Sequence, residues 1–331
     1  MQFNTVKRYK FDLDKSPSQR WEPILNDFKD AFPKLQLTIE SIMKATGVTG
    51  LVYSSLKAVI NSYKNKVLFY DELVYISSVT GIEFEKLLLM QLLYEASAAC
   101  TCIITKVNGK HVMVRTMDWD MPILKDITIE LEFVKNGKTL FIAPTWVGCV
   151  GVFTVHIPEK YSIAINYRRT KPIGFMSLSQ NVYRVMKMAW PISYLIRTVG
   201  ESEMNYESAI KSLQQSDIVS PCYITLYNSN DKSCVITRDT SNHNTFTLSE
   251  KQDYIIQTNS DDNSNKVSEE NILYSTERYG IAESLIKNNN NNWKDENSLL
   301  KNICVHPIIN EETVYMCVMI PKLGYLDVKV V

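Results

Sequence analysis

The chain has 331 residues, 45% of them hydrophobic, with 36 Lys and Arg balanced by 36 Asp and Glu. That length allows a sizeable core in one large domain or two small ones. The zero net charge offers neither the basic surplus of a nucleic-acid binder nor a polybasic tether for anionic lipid.

The first ten residues, Met1 to Lys10, are polar and charged and lack the apolar core of a secretory signal. No Asn is followed two positions on by Ser or Thr, and the seven Cys form no dense pattern. Together these signs predict a cytosolic, reducing setting with free thiols. No apolar run reaches the roughly 18 residues that span a bilayer.

Residues 1–99 read as mostly helical. Looser helical patterns cover 18–31 and 51–63. After Thr80-Gly81 a stronger one runs from Ile82 to Ala99, with Leu89, Leu92, Leu93 and Ala96 at helical spacing. At Cys100 the period changes to two. Strands at 103–107 and 111–115 flank Asn108-Gly109, and strands at 128–135 and 138–143 flank Asn136-Gly137. Asn-Gly between β-rich runs is a hairpin signal, because both turn residues must take positive φ. Another strand spans Tyr161 to Tyr167. Helices are expected over 178–198 and 203–215, and strands over 222–228, 233–238 and 253–258. A polar loop at 259–270 leads to a helix over 271–287. The run Asn288 to Asn292 reads as a floppy surface loop. Strands over 313–320 and 325–331 close the chain. Strands, then helices, then strands predict an α+β fold with two sheets sandwiched between helical layers.

The informative junction is Ala98-Ala99-Cys100, where a long helix stops and a hairpin opens. The returning strand ends in Arg115-Thr116-Met117-Asp118, so the hairpin brings a thiol, a guanidinium and a carboxylate to one end of a sheet. A Cys at a chain start carries its own base, an α-amine that titrates at about 7.7–8.0. Asp118 is placed to orient that amine, and Arg115 to favour thiolate. None of the four His, His111, His156, His243 and His306, is then required. The bland alternative is a small buried Cys at a helix–strand junction.

These residues resemble a known family. Cys100-Thr101-Cys102-Ile103-Ile104 is similar to the Cys-Thr-Ser-Ile-Val that opens the β-subunit of the N-acylethanolamine-hydrolysing acid amidase and acid ceramidase family. Arg115-Thr116-Met117-Asp118 resembles its Arg-Asn-Met/Leu-Asp, and Val147-Gly148-Cys149-Val150-Gly151 its Ile-Gly-Tyr-Val-Gly. Phe11-Asp12-Leu13-Asp14, Arg20-Trp21-Glu22-Pro23, Ile192 to Arg197, Glu201 to Tyr206, Val235 to Arg238 and Gln257-Thr258-Asn259 extend the likeness along most of the chain.

The resemblance implies an αββα N-terminal-nucleophile hydrolase that cuts itself at Ala99–Cys100. Residues 1–99 would become a helical α-subunit and 100–331 a β-subunit, the two remaining associated. It implies Cys100 as nucleophile, with Arg115 and Asp118 beside it. Asn259 would be the oxyanion donor, while Asn166 and Arg278 match further polar positions of the family. It implies no cofactor and no metal, and as substrate a fatty acyl amide such as an N-acylethanolamine, with peripheral membrane contact for access. Ceramide hydrolysis and an inactive lipid-binding relative are the alternatives, and a Cys-His protease using His111 or His306 is a further rival. Helix 82–98 with Trp119, Trp146 and Phe153 is the expected acyl slot. Two departures stand out: Tyr167 replaces a Glu tied to maturation, and Cys102 replaces a Ser. The family is lysosomal, which the N-terminus does not suggest.

Overall fold

The computed structural model describes residues 3–168, 189–249, 254–261 and 272–331, together with 180, 181, 183–185 and 187. Residues 4–12 form two strands, β1 (Asn4–Thr5) and β2 (Lys7–Asp12), where a helical segment was expected to start. On β2 only Tyr9 and Phe11 are buried. Its charged neighbours mask the period-two pattern.

Helix α1 (Pro17–Asp27) is started by a capping box, in which the Gln19 N–H donates to Ser16 Oγ and the Ser16 N–H to Gln19 Oε1. It stops short of the predicted residue 31. Helices α2 (Phe32–Ala45), α3 (Gly50–Tyr63), α4 (Tyr70–Thr80) and α5 (Phe84–Ser97) follow. Neither α2 nor α4 is evident from the sequence. Pro33 reads as a breaker, yet it lies in the first turn of α2, where its missing N–H costs no hydrogen bond. The β-branched Val74, Ile76, Val79 and Thr80 argue against helix, but α4 buries Glu72, Leu73 and Ile76, and packing decides.

Both predicted hairpins form. β3 (Ala99–Val107) and β4 (Lys110–Asp118) are joined by Asn108 at φ 49° and Gly109 at φ 75°. β5 (Thr128–Lys135) and β6 (Lys138–Trp146) are joined by Asn136 at φ 49° and Gly137 at φ 75°. Then come α6 (Ile123–Asp126) between the hairpins, β7 (Thr154–Ile157) and β8 (Tyr161–Tyr167). The single helix expected over 178–198 is interrupted, because Trp190 bridges Ile218 ahead of Pro191 and α7 (Ile192–Glu201) starts only after it; residues 178, 179, 182, 186 and 188 lie outside the described residues. Next are α8 (Tyr206–Gln215), β9 (Cys222–Asn228), β10 (Ser233–Arg238), β11 (His243–Thr247) and β12 (Ile255–Gln257). The chain ends with α9 (Ser275–Asn288), β13 (Asn292–Trp293), α10 (Glu296–Ile303), β14 (Thr313–Ile320) and β15 (Tyr325–Val330).

The Asn run is not a floppy loop. Asn291 is buried and accepts a hydrogen bond from Thr105, Asn292 and Trp293 pair with β3, and the Gly109 N–H donates to Asn292 Oδ1 at 2.8 Å. Composition gave no hint of these partners.

The strands build two sheets, one ordered β1-β15-β14-β4-β3-β12 with β13 also beside β3, the other β11-β10-β9-β8-β7-β6-β5-β2. β3 lies against β8 between the sheets. α7 covers β6 and β7, while α9 covers β3 and β12. With both faces covered, β8, β9 and β14 are buried along their whole length, so they read as near-continuous apolar runs. The architecture is α+β, two packed sheets between helical layers. Its first 99 residues add an edge strand to each sheet.

Candidate active site

Cys100 is fully buried at the start of β3. Register sets Cys100, Met117 and Tyr315 in one row across β3, β4 and β14, with Cys102, Arg115 and Cys317 in the next row on the same face. Arg115 reaches from the second row into the first. Its Nη2 lies 3.4 Å from Cys100 Sγ and donates to the Ile165 carbonyl at 3.0 Å, and its Nη1 donates to Tyr315 Oη at 2.6 Å. A guanidinium that close favours the thiolate. By contrast, burial pushes the thiols of Cys102 and Cys317 up to about 12 and those of Cys149, Cys234 and Cys304 up to about 11. Cys102 therefore packs as a neutral side chain in its strand.

The backbone of Cys100 is held from three sides. Its N–H donates to Asn259 Oδ1 at 2.9 Å. Its carbonyl accepts from Asn166 Nδ2 at 3.1 Å and from Arg278 Nη1 at 2.6 Å. Arg278 Nη2 also donates to Asn259 Oδ1 at 2.7 Å, so that oxygen takes two donors and the amide orientation is fixed. Asn259 Nδ2 then faces the Tyr167 carbonyl, to which it donates at 2.8 Å. One of its two hydrogens is thus already engaged, a feature the sequence does not reveal. Tyr167 enters the site through this carbonyl.

Asp118 pairs with Ala99 across the hairpin and is fully buried. Its Oδ1 accepts from Thr313 at 2.7 Å; its Oδ2 lies 3.7 Å from Arg278 Nη1 and has no hydrogen-bond donor. Burial raises the carboxyl above its ordinary value, against the pull of Arg278 and Thr313, and lowers the Arg278 guanidinium against the pull of Asp118. All six predicted site residues thus meet in one cluster: Cys100, Arg115, Asn166, Asn259 and Arg278 are joined by hydrogen bonds, and Asp118 by its ion pair with Arg278.

Sequence reasoning missed Thr313, Tyr315 and Ser275, whose hydroxyl accepts from the Asn259 N–H at 3.0 Å. Thr313 and Tyr315 lie on β14, where strand register is their only signal, and Ser275 opens α9, where nothing local marks it. His111 is no partner for Cys100: it pairs with Lys106, six strand positions away or about 20 Å.

A narrow apolar cavity of about 20 Å³ has Met90 and Gln91 of α5, Trp119, Trp146, Cys149 and Phe153 in its wall. The Trp146 ring stands 5.5 Å from Trp119, 5.7 Å from Phe153 and 6.1 Å from Tyr315, the residue that holds Arg115. Trp119, Trp146 and Phe153 of the expected slot thus share one cavity with Met90 and Gln91, whereas Leu88, Leu89 and Leu92 of the same helix line a separate, larger apolar pocket with Trp190 and Tyr194. Gln91 anchors the wall of the narrow cavity, donating to the Gly148 carbonyl at 3.1 Å and accepting from the Val150 N–H at 2.9 Å.

A family model described as the beta subunit of N-acylethanolamine-hydrolyzing acid amidase matches residues 4–68. An uncharacterized protein of Acanthamoeba polyphaga mimivirus is 35% identical over 311 residues, covering 93% of this chain and 94% of that one. Acid ceramidase of Balaenoptera acutorostrata scammoni is 30% identical over 279 residues, covering 77% of this chain and 70% of the relative. Among solved structures, a Caenorhabditis elegans N-acylethanolamine-hydrolyzing acid amidase ortholog is similar with a TM-score of 0.58 and 28% identity, over 68% of this chain and 94% of that one. The chain belongs to the N-acylethanolamine-hydrolyzing acid amidase and acid ceramidase family and is an amide-cleaving hydrolase of that type.

Proposed function

We propose that the chain cuts itself between Ala99 and Cys100 and then uses Cys100 to hydrolyse a fatty acyl amide of a small amine, such as an N-acylethanolamine. The observation that carries this reading is the hold on Cys100: its sulfur on Arg115, its N–H on Asn259, its carbonyl on Asn166 and Arg278. In self-cleavage Sγ attacks the Ala99 carbonyl carbon, the C–N bond breaks, and the departing nitrogen takes the proton as the new α-amine. Asn259 Oδ1 already accepts from that nitrogen. Water then hydrolyses the thioester and frees the thiol.

In turnover the α-amine takes the thiol proton, and the thiolate attacks the substrate carbonyl. The second hydrogen of Asn259 Nδ2 serves the oxyanion. The protonated amine returns its proton to the leaving amine as the C–N bond breaks. Water, deprotonated by the same amine, releases the fatty acid and restores the thiol. The acyl chain enters between Trp119, Trp146 and Phe153, which part to admit it from the narrow cavity they now line, and an uncharged tail there costs no desolvated ion.

Ceramide is the second candidate substrate, favoured by the 30% identity to an acid ceramidase. A denaturing gel with N-terminal sequencing tests the cut; two bands are expected, the larger beginning at Cys100. Hydrolysis of N-acylethanolamines, ceramides and conjugated bile salts at neutral and acid pH separates the substrates. Cys100→Ala is expected to remain one band and to turn over none of them. Turnover by an intact chain still joined through Ala99 overturns the mechanism.

A further inference from the structure

We infer that Tyr315 is a positioning residue that locks the Arg115 guanidinium against the sulfur of Cys100. This rests on the reading of Cys100 as the nucleophile. The argument begins with register. Tyr315, Met117 and Cys100 stand in one row across three adjacent strands, while Arg115 belongs to the neighbouring row. To reach the sulfur, its guanidinium must turn back over Met117, whose Sδ lies 3.6 Å from Nη2. A side chain with Arg's rotamer freedom does not hold such a bend unaided.

Two contacts at Tyr315 hold it. The hydroxyl accepts from Arg115 Nη1 at 2.6 Å, and the ring centroid lies 5.2 Å from the guanidinium carbon. With Nη1 fixed there, the planar fork leaves Nη2 aimed between Cys100 Sγ and the Ile165 carbonyl. The Tyr315 hydroxyl is itself tied to the opposite sheet, 3.1 Å from Thr154 Oγ1. It accepts from Arg115 and shares a hydrogen bond with Thr154 in which either hydroxyl can donate, so its position is fixed from both sheets. Full burial keeps the phenol well above its ordinary pKa, and therefore neutral, at any working pH. The Arg115 charge is then not spent on an anion at Tyr315 and acts on the sulfur.

The test is Tyr315→Phe, which keeps the ring and removes only the hydroxyl. In the mature enzyme, the rate of Cys100 alkylation by iodoacetamide is followed against pH, with the label read on the Cys100 peptide by mass spectrometry. The expected result is an upward shift of the midpoint by about one pH unit, a roughly tenfold slower reaction below it, and a lower kcat with KM little changed. Thr154→Val is expected to shift the midpoint the same way by less, and it serves if the first variant does not fold. A folded variant whose midpoint matches wild type overturns the inference, even if its melting temperature falls. Failure of the underlying reading looks different: there Cys100→Ala retains turnover, whereas here it is inactive and only the Tyr315 profile is unmoved.

Discussion

Asp118 holds one oxygen on Thr313 and leaves the other without a donor, 3.7 Å from Arg278. Burial raises its pKa above the ordinary 3.8. The folded chain therefore binds this proton more tightly than the unfolded chain does. The stability so gained is complete below the ordinary carboxyl value and is lost as pH rises through the raised one. Urea unfolding of Cys100→Ala, which the proposed mechanism expects to stay intact, is expected to show that decline, and adding Asp118→Asn is expected to flatten it. For Asn259, which joins the Cys100 N–H to Arg278 and Tyr167, replacement by Ala is expected to lower kcat ~10²–10³-fold with little change in KM. A loss under about tenfold, measured on a folded mature variant, removes Asn259 from the oxyanion role. The six residues of the cluster were legible because a hairpin juxtaposes three of them and family resemblance supplies the rest. Tyr315 and Thr313 were not, because an isolated Tyr or Thr on a closing strand carries no sign of its register partners.

Element boundaries followed the same division between local and remote causes. The Asn-Gly hairpins were readable because the φ > 0 requirement is written in the turn itself. α2, α4 and the Asn run were not, because Pro33, the β-branched residues of α4 and the low complexity of 288–292 describe local preference. Burial and pairing settled those segments. The turn after β6 shows the opposite case, a local residue dictated by a distant one. A Cβ added to Gly151 would lie 2.6 Å from Ser193 Cβ on α7. Gly151→Ala is expected to destabilise the protein by about 1–3 kcal/mol in urea titration, through overpacking. A neutral substitution would mean that α7 yields easily.

The molecule is sewn together across the proposed cut. Glu72 on α4 accepts from Arg197 on α7 at 2.6 and 2.9 Å and from Trp21 on α1 at 2.8 Å, all three side chains being buried. Burial alone would raise the Glu72 carboxyl, but Arg197, Arg20 and Trp21 outweigh it and hold it below its ordinary value. Removing one partner strands a buried charge, so Glu72→Ala is expected to cost ~3–5 kcal/mol, read as a lowered urea midpoint. With β1 on β15 and β2 on β5, the two fragments are expected to co-elute on gel filtration after cleavage and to separate only in denaturant. Separate elution in native buffer would show that these contacts do not suffice.

Gln91 grips the 148–150 turn by both ends of its amide, nine residues before the proposed break. A helix fastened sideways has no need of the covalent bond at its end to stay where it is. Scission at the proposed position would therefore free the last few residues before Cys100, while the wall of the apolar cavity keeps its shape. Lateral stitching of this kind lets a protein change one end of a compartment without remaking the room.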